Sequence, residues 1–305
     1  MIAHSEEAAA VRAVASSLGL PGIVDVHTHF MPRNVLDKVW AYFDSAGPLV
    51  GRHWPIRYRH AEDERVQRLR DLGVLGFTSM LYPHKPGMAA WLNAWAVDFA
   101  ARTPECLHTA TFYPEDDAAD YVRAALDRGA RVFKAHVQVG DYDPTDPLLD
   151  PVWGVLSEAG VPTVIHCGSG PAPGRFTGPE PIRRVLARHP RLPLIIAHMG
   201  MPEYDAFLEL AATHDRVFLD TTMSFTPFID EMMPMAPETI ASLPDFGDRI
   251  LFGSDFPNIP HSYVEAVHSV LDLGLGDEWN RAVLHDNAVR LFELDPTTPH
   301  PSSVQ

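Results

Sequence analysis

Short runs of apolar, often β-branched residues recur along this chain, separated by stretches whose apolar positions repeat every three or four residues. The short runs predict strands at 22–28, 75–82, 106–113, 131–139, 163–167, 193–198, 217–222 and 250–255. The stretches between them predict helices at 61–72, 87–102, 117–128, 147–159, 180–188, 204–214 and 262–273. Eight strands alternating with helices indicate an α/β fold, the (β/α)8 TIM barrel. No composition break interrupts the alternation and no solenoid-type repeat appears, so residues 1–305 are expected to form a single barrel domain. A short leading helix is expected at about 1–20, a closing helix at about 277–293 outside or across the barrel, and a disordered tail at about 295–305. Two long loops, 45–60 and 223–238, should lie over the barrel mouth if they follow the first and seventh strands. Trp91 and Trp95 recur at helical spacing and read as a core-facing stripe.

Several apolar runs stop on a residue able to bind a metal. His27 and His29 close IVDVHTHF, His166 closes VPTVIHCG, His198 closes LPLIIAHMG, and Asp255 closes ILFGSDFP. On an extended segment, residues two apart face the same side, so both rings of the His-x-His pair can reach one ion. A helix would set them about 200° apart. Gly168, Gly200 and Pro257 follow within two residues of the other three, which is how a strand gives way to a loop. Each position alone has a bland explanation, such as a core histidine bonded to a carbonyl or an aspartate capping a helix. Four strand ends bearing such residues together indicate a site at the carboxyl end of the barrel, where active sites of this fold lie. Imidazole nitrogens with one carboxylate suit zinc or a similar first-row divalent ion, manganese included.

Charge narrows the partners. With 24 basic and 40 acidic side chains the formal net charge is −16, which argues against nucleic acid or an anionic membrane. The two cysteines, Cys106 and Cys167, fall in apolar segments and read as reduced core thiols of a cytoplasmic protein. The first residues carry acidic groups where a signal peptide needs positive charge, and no window approaches the roughly 20 apolar residues of a membrane span. The glycines of GSGPAPG lack a following Gly-Lys-Ser/Thr, so no nucleotide cofactor is implied.

From Asp-Val-His27-Thr-His29 to Asn287-Ala-Val-Arg-Leu-Phe, the chain resembles the amidohydrolase superfamily. Within it, the likeness is to the branch containing aminocarboxymuconate-semialdehyde decarboxylase and γ-resorcylate decarboxylase. The resemblance implies that His27, His29, His166 and Asp255 bind one divalent ion. It implies that His198 orients or deprotonates the metal-bound water, or protonates a substrate carbon, and it suggests a homodimer whose neighbouring subunit lends an arginine. Lys134, on the fourth strand, is either a carboxylated bridge between two ions, as in binuclear relatives, or a buried charge-paired residue. His136 lies on the same face, nearer the strand end.

The expected activity is hydrolysis of a small, carboxylate-bearing or aromatic substrate through a metal-bound water. The alternatives are non-oxidative decarboxylation of an aromatic or unsaturated acid, and a non-catalytic metal-binding barrel. Arg52, Arg57, Arg59 and Arg175 are candidates to clamp a substrate carboxylate. Trp54, Phe176 and Phe225 are candidates for an aromatic wall.

Overall fold

The computed structural model describes residues 3–295, so most of the expected tail lies outside the described residues. The strands are β1 (Ile23–Asp25), β2 (Val74–Thr78), β3 in two pieces (Cys106–Leu107 and Thr109–Thr111), β4 (Val132–His136), β5 (Thr163–His166), β6 (Leu194–Ile196), β7 (Val217–Asp220) and β8 (Ile250–Leu251). All pair in parallel, each with its neighbour in sequence. Between β8 and β1 the ring closes beyond the named strands. Val26 donates to Phe252 at 2.9 Å, Asp255 to the His27 carbonyl at 2.8 Å and His29 to the Phe256 carbonyl at 2.7 Å. Thr28 and Phe256 form a parallel bridge at this seam. The result is the TIM barrel that the alternation predicts.

The strands read as continuous apolar runs because both faces are covered, the inner by the barrel filling and the outer by helices. Val24, Val132, Val164, Ile195 and Leu251 form one buried cluster with Phe292 of the closing helix. Period-two alternation places Lys134 and His136 on the Val132 face of β4 and His166 on the Val164 face of β5, so the polar residues sit above an apolar plug. Phe133, Ala135 and Ile165, of opposite parity, join the larger core under the helices.

All seven intervening helices form, from Glu62–Leu72 to Tyr263–Leu271, with ends within about three residues of those predicted. The first stops at Gly73, whose left-handed φ of 81° is a conformation that glycine adopts without strain. Besides short helices such as Gly47–Val50, Val137–Gly140 and Pro237–Ser242, one long helix was not anticipated. Arg33–Ser45 follows β1 and buries Val35, Leu36, Val39 and Trp40. The leading helix is His4–Ser17, and its buried Glu7 accepts the Tyr58 hydroxyl at 2.6 Å and the Tyr263 amide at 2.8 Å, fixing it to the barrel. The closing helix runs through Asp277–Arg281, Ala282–Asp286 and Asn287–Phe292, and the Asn287 side chain holds the Ile250 carbonyl at 2.7 Å. Trp91 corrects an expectation. It is 46% exposed, and Leu92, Ala96 and Phe99 form the core face of its helix. No helix of the described residues is long and apolar enough to cross a membrane.

Candidate metal centre

His27, His29 and Asp255 meet at the seam where the first and last strands close, their candidate ligand atoms all within 4.8 Å of one another and all three residues buried. Each imidazole is fixed by its far nitrogen. His27 Nδ1 donates to Asp220 Oδ2 at 2.9 Å, leaving Nε2 as a lone pair. His29 Nδ1 lies 2.7 Å from the Met80 carbonyl, which can only accept, so in the neutral ring its Nε2 is a lone pair too. That nitrogen stands 2.7 Å from Asp255 Oδ1, and His27 Nε2 stands 3.9 Å from the same oxygen.

Two acceptors 2.7 Å apart require a positive charge between them, either a proton on His29 or a metal ion. The donor set of two imidazoles and a carboxylate fits a divalent first-row ion. Burial alone would raise the Asp255 carboxyl, but the hydrogen bond from His29 and the neighbouring imidazoles outweigh it and hold it below the usual carboxylate range.

Around this cluster the other strand ends converge. Register pairs His136 with His166 across β4 and β5, and their rings stack at 4.1 Å with 12° between planes. His166 turns Nε2 toward the Gly170 carbonyl at 3.3 Å. His198 lies beyond β6 in a tight turn, its ring 4.7 Å from that of His166 and 5.1 Å from that of His27. Its Nδ1 faces the Thr222 carbonyl at 3.1 Å, which leaves Nε2 as the acceptor, and its amide donates to Asp220 Oδ1 at 2.9 Å. Burial holds His27, His136, His166 and His198 below the ordinary imidazole range, so all four are neutral near pH 7. His198 and Asp255 carry left-handed φ values of 56° and 69°, backbone that non-glycine residues adopt only where the surroundings impose it.

Lys134 is fully buried, with Nζ 3.1 Å from His27 Nε2. Burial pushes its ammonium down to about 8, against the pull of Asp220 and Asp255. Neither carboxylate forms an ion pair with it among the described residues; they act through space.

A cavity of about 70 Å³ is lined by these histidines, Lys134 and Asp255, with Phe43, Trp54, Tyr82 and Asn258 among its other walls. Trp54 reaches it because its indole donates to the Asn258 carbonyl at 2.7 Å. Arg52, Arg57 and Arg175 line neither this cavity nor the one beside it. Arg52 pairs with Glu231 at 2.8 Å and lies over Phe228, so the two long loops tie to each other and the guanidinium is already used. The Arg57 amide donates to the Ile259 carbonyl at 2.9 Å, tying its loop to the one after β8. Exposed Arg175 covers Phe176, and Arg59 pairs with Asp44. Asp220, Tyr82 and Asn258 were not singled out from the sequence. Asp220 ends the apolar run VFLD just as Asp255 ends its own, and that signal was available.

A family model described as Amidohydrolase matches residues 24–294. No curated protein sequence matches the chain. Among solved structures, an uncharacterized TIM-barrel protein from Bordetella bronchiseptica gives a TM-score of 0.72 at 19% identity, covering 89% of this chain and 98% of that one. The 5-carboxyvanillate decarboxylase from Novosphingobium aromaticivorans, complexed with manganese and 4-hydroxy-3-methoxy-5-nitrobenzoic acid, gives 0.60 at 14% identity, covering 90% and 97%. A probable 2-pyrone-4,6-dicarboxylic acid hydrolase from Acinetobacter baumannii, with citric acid bound, gives 0.60 at 13% identity, covering 90% and 100%. At these identities the likeness carries the fold.

Proposed function

The chain belongs to the amidohydrolase family, and from that premise we propose a metal-dependent hydrolase acting on a small aromatic or carboxylate-bearing substrate. His27, His29 and Asp255 would hold a divalent ion, zinc first and manganese second; His166, outside that group with its Nε2 turned to the Gly170 carbonyl, is the fourth ligand that the family resemblance implies. Bound there, the ion supplies Lewis acidity to the oxygen of a scissile carbonyl.

The observation that carries the reading is the hydrogen bond at His198. Because Nδ1 gives its proton to the Thr222 carbonyl at 3.1 Å, Nε2 is a base and not an acid at neutral pH. Hydrolysis needs that base. His198 Nε2 takes a proton from the attacking water as the water oxygen bonds to the carbonyl carbon, and returns it to the leaving group. The Thr222 carbonyl and the amide bond to Asp220 hold the ring in place through both transfers. Asp255, turned toward His29, supplies the negative charge that balances the cationic site.

Decarboxylation, the second reading, needs a proton donor at a substrate carbon. His136 is the observation that favours it. Its Nδ1 accepts the Val139 amide at 3.3 Å, so its Nε2 carries the ring proton, and the residue lines the cavity.

The experiment is elemental analysis of gently purified protein, followed by a panel of esters, lactones and amides run beside hydroxybenzoates. About one ion per chain with product from the first set supports hydrolysis. Carbon dioxide from the second set replaces it with decarboxylation. About two ions would return Lys134 to the role of a carboxylated bridge, and none after reconstitution would sink the metal-dependent reading.

A further inference from the structure

The inner cavity, at about 70 Å³, takes only the reacting group of a substrate. A second cavity of about 320 Å³ adjoins it, sharing Phe43, Tyr82, His136, His166 and Pro171 as walls. One side of this outer chamber is a continuous run of rings. His84 stacks on Tyr82 at 5.3 Å and 29°, Tyr82 meets His136 at 4.7 Å and 50°, and His136 stacks on His166 at 4.1 Å and 12°. Val39 and Phe43 of the helix Arg33–Ser45, and Val50 just beyond it, add apolar surface. Rings next to aliphatic surface favour a flat, unsaturated occupant, whose faces stack while its edges stay dry.

Two features give the chamber a polarity. Lys38 lines it, exposed and without an ion pair among the described residues. His84 presents a buried Nε2 that has no hydrogen-bond partner. Inside a protein of net charge −16, a lone lysine beside an unpartnered imidazole forms a local anion-preferring end. The four arginines that the sequence suggested for this task are elsewhere, which leaves Lys38 as the cation of the outer chamber.

Taking the inner site as the reacting end, which rests on the functional reading above, we propose that the outer chamber is a substrate subsite. It takes the planar, conjugated body of a substrate whose far end carries an anion, recognised by Lys38 and His84. The chain would then select for molecules with a reactive group at one end and a negative charge at the other.

Calorimetric binding of benzoate, naphthoate and a linear naphthalene dicarboxylate tests this, with protein as purified and after zinc loading. Naphthoate is expected to bind about tenfold more tightly than benzoate, from the extra ring buried. The dicarboxylate should gain a further two- to fivefold, roughly the value of an exposed ion pair, and Lys38→Met should remove that gain alone. Val139→Trp and Ala172→Phe, which fill the chamber from two different segments, should each remove the gain from the second ring. Melting temperature and zinc content check that the variants fold. Equal affinity for benzoate and naphthoate, a dicarboxylate gain that is missing or survives Lys38→Met, or a ring gain that survives both filling variants would overturn the subsite. Because the readout is binding, lack of turnover on every ester and amide would overturn the hydrolase reading and leave this result standing.

Discussion

His27 Nδ1 donates to Asp220 Oδ2 at 2.9 Å, and the other oxygen of the same carboxylate holds the amide of His198 at 2.9 Å. One fully buried aspartate at the end of β7 therefore orients both a candidate ligand on one side of the barrel and the candidate base on the other. Asp220 also accepts the Thr222 amide at 3.1 Å, which places the carbonyl that fixes the His198 ring.

Asp220→Asn keeps the shape but offers an amide nitrogen or a weaker acceptor to His27. Metal affinity is expected to fall about 10- to 100-fold, the usual cost of losing the partner of a ligating histidine. Competition with a chromophoric chelator measures it, and unchanged affinity would show that His27 needs no such orientation.

His198→Ala should retain the ion, because His27, His29 and Asp255 form the cluster without it. Turnover should drop about 10²- to 10⁴-fold, as expected on removing a positioned general base. Metal content and kcat measured on the same preparation separate the two roles. Full activity in the variant would assign the proton transfer to another group.

How far the sequence discloses the site follows from what each residue depends on. His27, His29, His166, His198 and Asp255 are legible because each ends a short apolar run, and in a parallel barrel the ends of strands converge whatever the loops do. Asp220 sends the same signal, yet among 40 acidic side chains a lone aspartate reads as a helix cap until its histidine partner is seen. The helix Arg33–Ser45 is written in the spacing of Val35, Leu36, Val39 and Trp40, but it lies beside a loop so rich in charge that the segment reads as irregular. The arginines mislead for a general reason. Long side chains on loops settle on whichever acid or ring lies nearest, as Arg52 does on Glu231 and Phe228, and sequence carries no record of that choice.

Close packing near the site gives a third prediction. A Cβ at Gly253 would stand 2.1 Å from Thr222 Oγ1 and 2.8 Å from His27 Cβ. Gly253→Ala should therefore cost about 1–3 kcal/mol through forced shifts in a dense interior. The shifts fall on His27, so the fall in melting temperature should be accompanied by weaker metal retention. A variant as stable and as metal-loaded as the parent would show that the strand end yields freely.

Acid stability should depend on the pair between helix Glu62–Leu72 and the start of β3. Arg70 binds Glu105 through two nitrogens, at 2.7 and 3.0 Å. Burial acts to raise the Glu105 carboxyl, but the Arg70 hydrogen bonds outweigh it and leave it below its ordinary value near 4.5. A lowered folded-state value means that the unfolded chain binds the proton more readily. The stabilisation is therefore complete above about 4.5 and is lost as pH falls through the lower, folded value. Arg70→Met should lower stability by about 1 kcal/mol at neutral pH, a modest amount because the guanidinium is 40% exposed, with the difference shrinking in acid. Denaturant melts at a series of pH values measure it. A difference that grows on acidification would contradict the assignment.

The seam at Thr28 and Phe256 makes the centre a record of chain completion. Asp25 and Ser254, 229 positions apart, join side chains at 2.6 Å just beneath the cluster, so its histidine half and its aspartate half come from segments far apart in the sequence. A chain whose eighth strand has not yet paired has the two histidines of this cluster without its aspartate. The three-residue cluster is therefore complete only once the eighth strand has closed the ring. An ion bound by this cluster would then reward correct closure, through the coupling of ligand binding to folding.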